Sequence, residues 1–181
     1  MVRPYGVNTK AIAEQLKHKL DADPERFRGI NVFYDHGDSS KPGVGRPTTY
    51  MGRRYGRDAT LSAVDIVIAK RNNVILAIEI EEGITRPKDV IGDVFGIVLA
   101  DRIMFKRKPY SIKNATFIVA IADDGKGKQS EKYIRLERRL DRYFRSISSK
   151  TSKNVRIITC PTHDLVRRIE RLIRLETGRR I

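Results

Sequence analysis

The chain has 181 residues, and its 37 Lys and Arg outnumber 22 Asp and Glu to give a formal net charge of +15, so an anionic partner, most commonly nucleic acid, is expected. Its 40% hydrophobic content is enough for a core and argues against wholesale disorder, and the length suits one domain over 1–181. No stretch approaches 18 consecutive apolar residues, the opening MVRPYGVNTK lacks the apolar segment of a secretory signal, and the single Cys160 leaves no internal disulfide or Cys-rich zinc site, so a cytoplasmic protein without a membrane partner is expected.

Asn8 is placed to cap a helix over Thr9–Leu20, with Ile12, Leu16 and Leu20 on one stripe. Ile30–Tyr34 reads as a short strand. A basic, glycine-rich loop follows over Ser39–Arg57, with five basic residues, four glycines and no acid. Lys41, Arg46, Arg53, Arg54 and Arg57 suit contacts to phosphates, and Tyr50 and Tyr55 suit stacking on bases or sugars. The plain alternative is a long solvated loop.

Leu61–Ala69 reads as a strand, and Val74–Glu81 as a second. The turn between them, Lys70–Asn73, contains Asn72 and Asn73, which tolerate positive φ, so the two strands form a hairpin. Pro87 opens a helix to about Asp101, with Val90, Ile91, Val94, Phe95 and Val98 as its core stripe. Gly92 and Gly96, four apart, allow close approach to a sheet or to another helix, including that of a second copy. Ala115–Ala122 is apolar on both faces, as a central strand requires. Ser130 caps a helix to about Ile147 with Tyr133, Leu136, Leu140 and Tyr143 inward. Val155–Thr159 is a strand, and a basic helix at about 162–177 places Leu165, Ile169, Leu172 and Ile173 inward and Arg167, Arg168, Arg171 and Arg174 outward. Those arginines are either a solvated face or a surface against DNA. The order implies an α/β fold with a mixed sheet and helices on both faces.

The charge is unevenly spread. Residues 1–60 carry 11 basic and 7 acidic groups, residues 61–122 carry 9 and 7, and residues 123–181 carry 17 and 8. The nearly neutral middle holds Asp65 in the first hairpin strand and Glu79 and Glu81 in the second. Alternation puts Glu79 and Glu81 on one face. Carboxylates gathered in otherwise apolar strands form an oxygen-rich site suited to Mg²⁺ or Mn²⁺, which can activate water and offset charge on a phosphodiester. The alternative is a set of strand-end charges paired with nearby arginines. The loop DDGKGKQS at 123–130 lacks the full phosphate-loop pattern, so no nucleotide cofactor is expected. His18, His36 and His163 have no metal spacing, and Cys160 reads as a packed residue.

The run AVDIVIAKRNNVILAIEIEEG resembles the PD-(D/E)xK nuclease superfamily, with its restriction-endonuclease-like fold. An Asp in one hairpin strand precedes Glu-x-Lys in the next, within the order αβββαβ. The pattern is similar to that of archaeal Holliday-junction resolvases, with Ala13-Glu14-Gln15-Leu16 echoing an upstream helix, and to restriction enzymes with Glu-x-Glu. The resemblance implies a metal-dependent DNA endonuclease in which Asp65, Glu79 and the Ile80 carbonyl hold Mg²⁺ or Mn²⁺. Glu81 stands where lysine is usual, and Lys88, with Arg86 as a second option, is the candidate to supply the missing cation. The resemblance also implies a homodimer. Two other readings remain open: a DNA-binding protein that keeps the fold without catalysis, and a basic RNA-binding protein.

Overall fold

The computed structural model describes residues 7–35, 45–52, 57–82, 87–122, 131–147, 154–160 and 162–178. Among these residues, four α-helices and nine strands follow in the order α1 (Val7–Asp21), β1 (Ile30–Tyr34), β2 (Thr48–Tyr50), a 3-10 turn at Arg57–Ala59, β3 (Thr60–Ala63), β4 (Ile66–Lys70), β5 (Asn73–Glu82), α2 (Pro87–Val98), β6 (Arg102–Phe105), β7 (Lys108–Ser111), β8 (Thr116–Ala122), α3 (Glu131–Ile147), β9 (Asn154–Cys160) and α4 (Thr162–Gly178). The expected α/β class, with a mixed sheet and helices on both faces, is observed. No helix among the described residues is long and apolar enough to cross a membrane.

The main sheet runs β1–β4–β5–β8–β9. β1 and β5 lie antiparallel to β4, whereas β5, β8 and β9 run parallel. Parallel neighbours need long crossovers, which the segments containing α2 and α3 provide. β8 is central and apolar on both faces: Phe117, Val119 and Ile121 join one core, and Ile118 and Ala120 the other. On the second face α1 and α4 pack together, with Ile12, Leu16 and Leu20 meeting Leu165, Ile169 and Ile173. Burying each such side chain contributes about 1.5–3 kcal/mol. On the first face α2 and α3 bring Val90, Val94, Ile97, Tyr133 and Leu140.

Several expectations are corrected here. Leu61–Ala69 is not one strand: the chain bends at Val64–Asp65, because the Val64 N–H donates to the Pro47 carbonyl and the Asp35 N–H to that of Asp65, each at 2.9 Å. The basic loop is not all loop, since β2 lies within it, bonded to β3 and β6. Tyr50 is consequently buried, at 6% exposure, and is not available to stack on bases. The positive φ of the β4–β5 turn falls on Arg71 rather than on an asparagine, and α2 stops at Val98. Tyr143 is half exposed, resting against Phe95. A hairpin of β6 and β7 follows α2, its turn made by Lys106 and Arg107 at φ 48° and 61°, both left-handed as a tight two-residue hairpin demands.

Of the two α2 glycines, Gly96 serves helix–sheet packing: a Cβ there would meet Ser62 Oγ at 2.8 Å, while Gly92 faces open space. Gly96→Ala is therefore expected to destabilise by about 1–3 kcal/mol through overpacking. Gly92→Ala is expected to stabilise by up to about 1 kcal/mol through helix propensity. Urea unfolding of the two variants checks both signs.

Candidate functional site

The β4–β5 ladder ends at the pair Ile66↔Ile78. Beyond it the bend at Asp65 carries the chain off towards β1 and β2, and the Asp65 side chain fills the gap. The Ile80 N–H donates to Asp65 Oδ2 at 2.8 Å, and the Asp65 N–H donates to Glu79 Oε2 at 3.4 Å. A strand residue presents N–H and C=O along the same edge, so the Ile80 carbonyl points into this gap too. Ala77, before Glu79 and Glu81 in the alternation, belongs to the core beneath α2 and α3, and the two glutamates emerge on that face.

α2 contributes two further carboxylates, Asp89 and Asp93, one helical turn apart. Burial pushes Glu79 well above a carboxylate's ordinary value, and the charges of Asp65, Asp93 and Glu81 push it further, against the bond from the Asp65 N–H. Burial likewise raises Asp93 to about 7, aided by a hydrogen bond with Glu81 and by the charges of Glu81, Asp65 and Asp89. Its Oδ2 is buried without a hydrogen-bond partner. Burial also raises the Tyr133 hydroxyl on α3, with Glu81 and Asp89 adding to it. Asp65, Glu79, Glu81 and Asp93 thus form one electrostatic unit, with Asp89 and Tyr133 at its border.

Among the described residues, every charged neighbour acting on Glu79 and Asp93 is another acid. Lys88 is exposed on the first turn of α2, next to Asp89, whose charge acts on Asp93. Glu14 is also exposed and pairs with Lys10. Arg46 lies beside Pro47, the partner of Val64, and its Nε is buried without a hydrogen-bond partner. Lys41, Arg53, Arg54, Tyr55, Arg86 and the 123–130 loop lie outside the described residues, as does the side chain of Arg57. The sequence reading missed Asp93. Its signal is the spacing from Val90 (three residues) and Ile97 (four), which sets a carboxylate beside the helix's buried stripe.

The donor set is oxygen only, four carboxylates and a main-chain carbonyl, which suits a hard divalent cation. Among the described residues no three His, Cys, Asp or Glu side chains form a ready-made metal-binding group. The orphaned Asp93 Oδ2 and the mutual repulsion that raises Glu79 are nonetheless what a missing cation would relieve. No family model matches the chain, and neither a curated protein nor a solved structure matches it.

Proposed function

We infer that the protein is a metal-dependent nuclease that hydrolyses phosphodiester bonds in DNA, using Asp65, Glu79 and the Ile80 carbonyl to hold Mg²⁺ or Mn²⁺. The observation that carries this reading is the electrostatic union of Asp65, Glu79, Glu81 and Asp93, with no cation among the described residues acting on Glu79 or Asp93, inside a protein of net charge +15. Acidic groups facing phosphates repel them unless a cation intervenes, so a basic protein that buries such a group gains most from it by binding metal. With β2–β3 and the β6–β7 hairpin read as insertions, the remaining elements run α1–β1–β4–β5–α2–β8, with Asp65 at the foot of the β4–β5 hairpin and Glu79 on it, which supports the restriction-endonuclease-like fold that the sequence resemblance implied.

A bound divalent ion would supply Lewis acidity, lowering the pKa of water and offsetting charge on the phosphate. The chain's own residues account for the rest. The Ile80 N–H fixes one oxygen of Asp65 and so orients the other. Asp93, hydrogen-bonded to Glu81, sets a further carboxyl beside the pair that would hold the ion, where it can accept the proton of the attacking water. The basic loop, from the composition of its sequence, is the expected contact to the duplex in this reading.

Cleavage of linear and branched DNA with Mg²⁺ or Mn²⁺, comparing wild type with Asp65→Ala, tests the proposal. Cutting is expected from the wild type only, with DNA binding kept by both. A wild type that binds but never cuts would favour the binding-only reading, for which Glu81 in lysine's place is the specific support. Affinity for RNA above DNA, unaffected by Asp65→Ala, would favour the third reading.

A further inference from the structure

We propose that the groove on the β9 edge, between α3 and α4, is a second DNA-backbone contact of the same protein. The proposal rests on the nuclease reading for the identity of the polyanion, and on separate residues for everything else. The groove has a volume of about 790 Å³ and is lined by Arg156, Arg167, Arg168, Arg171, Leu172 and Leu175, among others. Glu137 is its one acid, and that carboxylate is already engaged: it accepts from the Ile157 N–H at 3.0 Å and pairs with Arg156 at 3.5 Å.

The charges of α4 are sorted unevenly along its turns. Asp164 pairs with Arg167, and Glu170 pairs with Arg174 and with Lys19 of α1. Glu170 is held below its ordinary value, first by the Lys19 hydrogen bond, so it is committed to the α1 side. Arg168 and Arg171 have no carboxylate partner among the described residues, and both are exposed. Arg168 and Arg171, beside two arginines already paired, leave the groove with an excess of positive charge that an anion would offset.

The occupant is a phosphate backbone rather than an added β-strand. β9 pairs on its other side with β8, and on this edge Glu137 covers the Ile157 N–H, one of the groups an incoming strand would need. The location also fits a duplex that reaches the carboxylates. Ile157 pairs with Val119, and Val119 pairs with Glu79, so groove and acidic site share one row of the sheet. Two strand spacings separate them, about 10 Å, and duplex DNA presents a charge about every 1.7 Å along its axis.

The test is fluorescence anisotropy of a labelled 30-base-pair duplex, in EDTA so that nothing is cut, across a salt series. Arg168→Gln/Arg171→Gln is expected to weaken binding about tenfold and to lower the slope of log K against log salt by about 2, one for each lost phosphate contact. Arg168→Lys/Arg171→Lys should keep the slope. Lys10→Gln/Lys17→Gln, which removes the same charge from α1, should leave the slope near wild type. An unchanged slope in the Gln variant, or an equal fall in the α1 control, overturns the groove. Failure of the wild type to cut DNA with Mg²⁺ or Mn²⁺, while the slope still falls in the groove variant, overturns the nuclease reading and leaves the groove standing.

Discussion

Glu79→Gln is expected to raise the melting temperature in EDTA while abolishing both DNA cleavage and stabilisation by divalent ions. Glu79 is raised chiefly by burial and then by Asp65, Asp93 and Glu81, so in the absence of a cation its charge is a burden on the fold. Glutamine keeps the volume and the acceptor oxygen for the Asp65 N–H while removing that charge. Relief of an uncompensated buried group is worth about 1–3 kcal/mol, which in a chain of this size moves the melting temperature by about 2–4 °C per kcal/mol. In the nuclease reading the same change removes an oxygen that would hold the metal, and the loss of several kcal/mol of transition-state stabilisation is expected to slow cleavage at least about a thousandfold. Thermal melts with and without Mg²⁺, beside a cleavage time course, measure all three effects. A variant less stable in EDTA that still cuts would show Glu79 to be an ordinary structural carboxylate.

The second large effect is a dependence of stability on pH. Asp93 rises from 3.8 to about 7 on folding. A carboxyl raised in this way binds its proton more tightly in the folded state. Its contribution is complete below about pH 4 and drains away as the pH climbs through 7. Fully expressed, the difference corresponds to about 4 kcal/mol. Because the side chain is only partly buried, water screens it to about half that. Stability in EDTA is thus expected to fall by about 2 kcal/mol through Asp93 between pH 4 and pH 8, and Asp93→Asn should abolish that fall. Glu170 works in the opposite sense: lowered by Lys19 and Arg174, it supports the fold above its ordinary value and is lost on acidification. Urea midpoints across this range separate the two, since Asp93→Asn leaves the acid limb untouched. Mg²⁺ at pH 8 should restore the wild type and do little for Asp93→Asn. Parallel curves for the two proteins would rule the mechanism out.

Periodicity and capping made the helices and the long strands legible. The Ile12–Leu16–Leu20 stripe, the β4–β5 hairpin and the doubly apolar β8 each follow from local pattern. β2, β6 and β7 did not, because TTY, RIMF and KPYS are too short to show a period. β6 and β7 pair with each other across a two-residue turn, and β2 is a strand because partners distant in sequence satisfy its backbone, which is also why Tyr50 is buried. In the candidate site, Asp65, Glu79 and Glu81 could be read from alternation. Asp93 shows in the sequence only as a carboxylate beside the apolar stripe of its helix, and its union with the other three depends on a helix–sheet contact outside any one element's period.

The bend at Val64–Asp65 has a consequence for how this hairpin tolerates change. Ser62 looks towards α2, and so does Asp65, three residues on, although an uninterrupted strand would send them to opposite sides. The bend works as a half-step in the strand's odd–even count. Straighten the bend while keeping its residues and that count reverts, turning one of the two away from α2. The acidic site therefore depends on parity as well as composition. Length variation can accumulate in the β6–β7 hairpin, but every residue from Val64 to Glu81 is counted.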